Sequence, residues 1–173
     1  MKIFSILSLL LAGCAASPKS PLPTVCSVDL PRFMGTWYVI GTIPWFVEKD
    51  NVATKDIYTL RKDGRIDVRY EFRKKSLDAP VGSMQAVARV VDKNSNARWA
   101  VQFLWPFEAP FLVIDLSPDY RYTTIGYPDR SLIWIMSRDP VMPEKDFAAA
   151  LENARRMGYD PTRIVRVPQL PKS

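Results

Sequence analysis

The sequence predicts an all-β chain, an eight-stranded up-and-down antiparallel barrel with one C-terminal helix packed outside. Three observations point there. Eight short apolar segments are joined by short polar turns, with no internal repeat and no alternation of strand and helix. Fifteen prolines and five tryptophans suit a sheet, since turns need punctuation and strands favour aromatic side chains. A tryptophan opens the first strand, Trp37, and an arginine closes the last, Arg138. A small barrel must plug one end, and an indole laid across the floor with a guanidinium on its face does so by burial and cation–π attraction together. Gly35, two residues before the indole, leaves space for backbone to pass close by.

The first thirteen residues are read apart from the fold. Lys2 precedes a nine-residue apolar run, residues 3–11, which is too short to span a bilayer, and Leu11-Ala12-Gly13-Cys14 follows at once. This pattern resembles the bacterial lipoprotein signal, which implies diacylation of Cys14, cleavage before it and acylation of the new amine. Three acyl chains exceed what stable anchoring needs. Ala15 stands where an Asp would retain such a protein at the inner membrane, so the resemblance implies a lipid-anchored, outer-membrane location; the periplasmic side is the expected one, with the face itself left open. The reading is therefore a signal peptide over 1–13, a lipidated cysteine and Ser/Pro/Ala-rich tether over 14–28, and one domain over 29–173.

Within the domain, a helical turn over 30–34 leads into a strand over 36–42. Strands over 55–60 and 66–73 flank Lys62-Asp63-Gly64, a hairpin turn. The second of these alternates cleanly, with Ile66, Val68, Tyr70 and Phe72 on one face and Asp67, Arg69, Glu71 and Arg73 on the other. A strand over 83–91 and a polar turn precede a strand over 98–104, where Trp99, Val101 and Phe103 share a face. Strands over 111–116, 122–127 and 132–137 complete the eight. The last is apolar on both faces, so something must cover its outside. A helix over 143–157 supplies the cover, with Phe147, Leu151 and Ala154 at helical spacing, Glu144 and Asp146 in its first turn, Arg155-Arg156 near its end and Gly158 as its stop. A final strand over 163–167 pairs at the barrel's edge.

Successive turns of such a barrel alternate between its ends. The short polar ones, Asp63-Gly64, Asn94-Ser95-Asn96 and Ser117-Pro118-Asp119, share an end with Trp37 and Arg138, which makes it the closed floor. Ile43-Pro44-Trp45-Phe46-Val47 and residues 77–81 and 105–110 form an apolar mouth.

Gly35-Thr36-Trp37-Tyr38, Asp119-Tyr120 and Ser137-Arg138, with Trp105-Pro106-Phe107 and Pro128-Asp129-Arg130, are similar to the motifs of the bacterial lipocalins, the outer-membrane lipoprotein branch related to apolipoprotein D. Pro118 departs from the pattern, which has Thr there. The resemblance implies a cup that binds small hydrophobic molecules, fatty acids or lysophospholipids, and covers the chain from about Leu30 onward. Parity then selects the wall. Because Arg138 reaches inward, so do Trp134 and Met136, and the same alternation adds Tyr70, Phe72, Trp99, Val101 and Phe103 as ligand-binding candidates, while Gly35, Trp37 and Arg138 are structural floor residues.

The net charge of +6 is scattered, with Arg73-Lys74-Lys75 the one run of three, placed near the mouth; a nucleic-acid partner would want a clustered basic face. There is no histidine, so the usual base near neutral pH and the commonest metal ligand are missing. Cysteine spacing gives no metal site, no phosphate-binding glycine motif occurs, and the reading assigns no catalytic residue, metal or cofactor. Lipidation of Cys14 leaves Cys26 without an intramolecular partner, as a thiol buried at the domain's edge. The expected partners are a small hydrophobic ligand and the anchoring membrane, with a homodimer left open. Two alternatives stand beside the carrier: an interaction lipoprotein whose barrel is filled by its own aromatics, and a lipocalin-type enzyme. Cavity volume separates the first from the carrier.

Cys14→Ser is expected to abolish lipidation and release the protein from membranes, because the remaining tether attaches only a weakly basic domain. Fractionation in high salt checks this, and sedimentation of the unlipidated chain with outer membranes would overturn it.

Overall fold

Strand pairing closes the chain on itself. In the computed structural model, which describes residues 20–171, the strands are β1 (Gly35–Ile43), β2 (Asn51–Leu60), β3 (Ile66–Lys74), β4 (Val81–Val90), β5 (Arg98–Leu104), β6 (Phe107–Leu116), β7 (Tyr122–Gly126) and β8 (Ile133–Ser137). Each pairs antiparallel with the next, and β1 bonds to both β8 and β2. The signal segment and Cys14 lie outside the described residues. Helix α1 (Leu30–Phe33) crosses the floor, α2 (Glu144–Arg156) lies outside, and a short β9 (Val165–Arg166) follows.

Two strands are longer than their alternation suggests. β2 starts at Asn51 because a bulge between Val52 and Lys55, with Ala53 at φ 49°, breaks the period of two. β6 starts at Phe107, so the expected long loop over 105–110 is a hairpin tip closed by the Leu104–Phe107 pair. Pairing there satisfies backbone groups that an open loop would leave to water.

The C-terminal segment does more than extend an edge. β1 and β2 are paired only over Gly35–Tyr38 and Lys55–Tyr58, and above that point they separate. Residues 165–169 fill the gap. β9 pairs with Gly41 and Thr42, Val167 donates to the Ile40 carbonyl at 2.9 Å, Ala53 donates to the Pro168 carbonyl at 2.7 Å, and Gln169 Nε2 reaches the carbonyls of Val39 and Thr54 at 2.7 and 3.0 Å. Residues 161–163, expected partly as strand, form one 3-10 turn capped by Asp160.

The outer face of β8 is covered as its sequence requires. Ile135 packs with Ile40, Met142, Phe147 and Ala150, and Ile133 with Ile43, Leu112 and Ala154. Leu151 is only partly buried; Ala150 takes the position facing the sheet. A Cβ on Gly41 would stand 2.7 Å from the Phe147 ring, so this glycine lets the helix seat closely. Residues 20–28, expected within the tether, also pack on the barrel. Leu22 and Val28 are buried and Val25 is partly so, a spacing of three that fits an extended, polyproline-like run with Pro21 and Pro23 in it. Cys26 falls off that face and is exposed, contrary to the expected buried thiol.

At the floor, Trp37 is fully buried, and the Arg138 guanidinium sits 3.8 Å from its ring centroid. Trp37 Nε1 donates to the Phe33 carbonyl at 2.8 Å. The guanidinium donates to the carbonyls of Thr36 (2.9 Å), Arg32 (2.7 Å), Phe33 (3.0 Å) and Tyr120 (3.3 Å). Gly35 turns the chain from α1 into β1 at φ 92°, and the space its missing side chain leaves borders Arg138 Nη1 rather than passing backbone. Pro118 fits its turn without strain on the bonding: Ser117 Oγ accepts from Tyr122 N at 2.9 Å, and Asp119 accepts from Arg121 N at 3.1 Å.

Arg138→Ala is expected to destabilise the fold by about 2–4 kcal/mol, through the lost stack and the stranded carbonyls. Denaturant unfolding in a double-mutant cycle with Trp37→Phe measures the stack, and additive effects would show that the two side chains are not coupled.

Candidate functional site

Inside the barrel, the two halves differ. The lower half is filled by the chain's own rings: Phe33 lies 5.1 Å from Trp37 and 5.4 Å from Trp99, Tyr58 packs edge-on against Trp99 at 5.6 Å, and Trp99 stacks on Phe111 at 4.7 Å. Above them lies a cavity of about 180 Å³. One side of it is apolar, from Met84 on β4, Val101 and Phe103 on β5, Ala109, Pro110 and Phe111 on β6, and Ile125 on β7. The other is built by Glu48, Asp56 and Tyr58, by Val68 and Tyr70 on β3, and by Trp134 and Met136 on β8. Trp45 and Val47 stand at the opening, where Trp45 lies 6.4 Å from Phe103.

Five of the seven expected wall residues, Tyr70, Val101, Phe103, Trp134 and Met136, come together on this cavity. Trp99 and Phe72 do not. Trp99 points inward but too deep; it is 1% exposed in the lower core, with Nε1 bonded to the Asn96 carbonyl at 2.7 Å. Phe72 stacks on Tyr70 at 5.3 Å, yet its ring lies across Gly82, where a Cβ would meet it at 2.8 Å, and it borders a separate recess with Val81 and Leu170. A facing glycine offers the ring a flat seat on the neighbouring strand.

Glu48 and Asp56 are the residues that alternation did not reveal. Glu48 ends the 3-10 turn Phe46–Glu48, and its Oε2 accepts from Trp45 N at 3.2 Å and Trp134 Nε1 at 3.1 Å. Burial pushes its carboxyl above the usual range. Asp56 stands opposite Trp37 on β1 and Tyr70 on β3 and accepts from the Tyr58 hydroxyl at 2.9 Å. Burial first, and the nearby Glu48 in a smaller degree, push Asp56 up to about 7. The Tyr58 and Tyr70 phenols are raised as well, chiefly by burial. The signal in the sequence was Tyr58: if that ring faces inward, so does Asp56 two residues before it.

No Lys or Arg lines this cavity among the described residues. The basic run expected near a ligand head group turns to the rim, with Arg73 on the Ala79 carbonyl and Lys74 Nζ 3.3 Å from the Val47 carbonyl. Among the described residues no three metal-binding side chains cluster, and Cys26 lies outside the barrel.

Comparison with known proteins agrees with this architecture. The profile of the lipocalin-like domain matches residues 28–169. Temperature-induced lipocalin-1 of Arabidopsis thaliana is 32% identical over 160 residues, covering 87% of this chain and 84% of its own. The outer membrane lipoprotein Blc of Escherichia coli K12 is 29% identical over 164 residues, covering 93% and 90%. Among solved structures, insecticyanin from the tobacco hornworm Manduca sexta superposes with a TM-score of 0.67 at 16% identity, over 85% of this chain and 84% of that one.

Asp56 gives the fold a pH dependence. The folded chain keeps the Asp56 proton to about 7, whereas an ordinary aspartate releases it at 3.8. Between those values the folded state holds the extra proton, so stability falls as pH rises through the window and the deficit persists above it. Asp56→Asn cannot ionise, so its gain in melting temperature over the parent is expected to be small near about pH 4 and largest above about pH 7. Thermal unfolding across pH checks this, and a constant offset would assign the effect to packing.

Proposed function

The chain belongs to the lipocalin-like family, and from that premise we propose that it is a membrane-anchored carrier of single-chain lipids, fatty acids or lysophospholipids, in the cell envelope. The observation that carries this reading is the open cavity of about 180 Å³ above a filled floor. An interaction module would have filled the upper half with its own rings as it fills the lower. The cavity supports binding rather than turnover, since its acid–base inventory is two carboxyls and phenols without histidine.

The position of Ser20 supports exchange with a membrane. Arg130, in the mouth-side turn between β7 and β8, holds the carbonyls of Ser20 at 2.9 Å and Met157 at 2.6 Å. Five residues separate Ser20 from Cys14, a reach of at most about 20 Å. An acylated Cys14 would therefore keep the mouth near its bilayer, with Phe46, Leu104, Trp105 and Phe107 exposed on the rim that faces it. The outer membrane is the location this reading takes, as for the outer membrane lipoprotein Blc of Escherichia coli, and its periplasmic side is part of the proposal.

Lysophosphatidylcholines of increasing acyl length, titrated into the mature chain carrying Cys14→Ser, are expected to quench tryptophan emission through Trp45 and Trp134. Affinity should rise by up to about fourfold per methylene, the worth of about 0.8 kcal/mol, and level off when the cup is full. Absence of quenching, or of any dependence on length, would favour the interaction module instead.

A further inference from the structure

The cavity's polar side holds two carboxyls, Glu48 and Asp56, beside the Tyr70 and Tyr127 hydroxyls. Glu48 Oε2 accepts from Trp45 N and Trp134 Nε1, and Asp56 Oδ2 accepts from the Tyr58 hydroxyl. Asn51 adds a further acceptor. Its Nδ2 donates to the Tyr70 hydroxyl at 3.0 Å, its Oδ1 is buried without a partner, and it borders a small recess shared with Glu48, Tyr70 and Trp134. A buried acceptor left unpaired costs free energy that a donor arriving with a ligand recovers.

The charges around the cavity lean the same way. Asp56 and Glu48 are faced by Tyr58 on β2, Tyr70 on β3, Tyr127 beyond β7 and Trp134 on β8, none of them cationic. Arg138 lies beneath Trp37 with its donors committed to backbone carbonyls, and Lys74 stays at the rim. An anion entering this space would meet two acids and no counter-charge in a medium of low dielectric, whereas a cation would find its pair.

Resting on the carrier reading and deepening it, we propose that Glu48, Asp56 and Asn51 recognise a hydrogen-bond donor on the ligand, best a protonated primary amine, so that the cavity selects amine-bearing single-chain amphiphiles over carboxylates. The alkyl chain packs on the wall from β4 to β7, and the amine turns toward β2 and β3. A fatty acid enters with its proton on, because the wall offers two carboxyls and no counter-charge to an anion. Asp56 gives this choice a pH dependence: below about 7 it is neutral and tolerates a carboxylate, and above that its ionised carboxyl favours an ammonium.

The test compares dodecylamine, 1-dodecanol and dodecanoate, matched in chain length, on the mature chain with Cys14→Ser, by tryptophan quenching at about pH 5 and about pH 8. The amine is expected to bind about tenfold or more tighter than the carboxylate at the higher pH, with the alcohol between, and the ratio should shrink at the lower pH. Glu48→Gln and Asp56→Asn should each move the amine-to-carboxylate ratio toward one, while the pH series on the parent chain needs no variant to fold. Equal affinity for all three ligands at both pH values would overturn the donor selectivity and leave the carrier reading standing. Failure of all three to bind would overturn both.

Discussion

Arg138 is the constraint on which the rest of the interior depends. A four-residue helix has no stability of its own, and its last carbonyls need donors. The Arg138 guanidinium supplies them to Arg32 and Phe33, bonds Thr36 and Tyr120 as well, and lies over the Trp37 indole. One side chain thus ties α1, the start of β1 and the turn between β6 and β7 into a plug. Burial lowers its pKa, yet a guanidinium keeps its charge, so the stack and the four bonds persist across ordinary pH. Above the plug sit Phe33 and Trp37, then Tyr58, Trp99 and Phe111, and only then the cavity. The height of the plug and its rings sets how deep a ligand can reach.

The side wall has its own weak line, and the polar residues gather along it. Where β1 and β2 part, the backbone of residues 165–169 completes the ladder, with Gln169 bridging Val39 and Thr54. A regular barrel strand offers its interior a strict alternation, which across β4–β7 is apolar. The bulged start of β2 and the turn before it escape that alternation, and this seam brings Glu48 and Asn51 to the interior beside Trp134. Irregular backbone and polar lining coincide because the same departure from the ladder that needs the C-terminal strap also re-aims these side chains.

Much of the architecture was legible because each strand buries one face and each turn carries its own chemistry. The stack of Arg138 on Trp37, the cover of β8 by a helix and five of the seven wall residues follow from parity alone. Parity does not give depth. Trp99 and Phe103 share a face of β5, yet one is sealed beneath the cavity and the other stands at its opening, because depth depends on the tilt of the strands and on what fills the floor. Phe72 was misplaced for a different reason, a cross-strand glycine that no single strand reveals. Glu48 was hidden in the turn before β2, Asp56 was readable only through Tyr58 two residues on, and Cys26 was hidden by a three-residue period where a pleated strand would have two.

The acidic side of the cavity satisfies Trp45, Trp134 and Tyr58 donors but, among the described residues, holds no cation. Several carboxylates elsewhere on this chain are paired with cations: Glu71 on the barrel's exterior meets Lys55 at 2.9 Å and Arg69 at 2.7 Å, and Glu108 meets Arg89 at 2.6 Å. Among the described residues, no lysine or arginine lines the cavity with Glu48 and Asp56. A carboxyl raised by burial weakens the folded state whenever it ionises, and an apolar residue of similar size would avoid that cost. Residues that lower stability in this way persist where function uses them. The floor and the strap hold the barrel together; Glu48 and Asp56 work against it, and what they offer in return is a set of acceptors facing the space a ligand would fill.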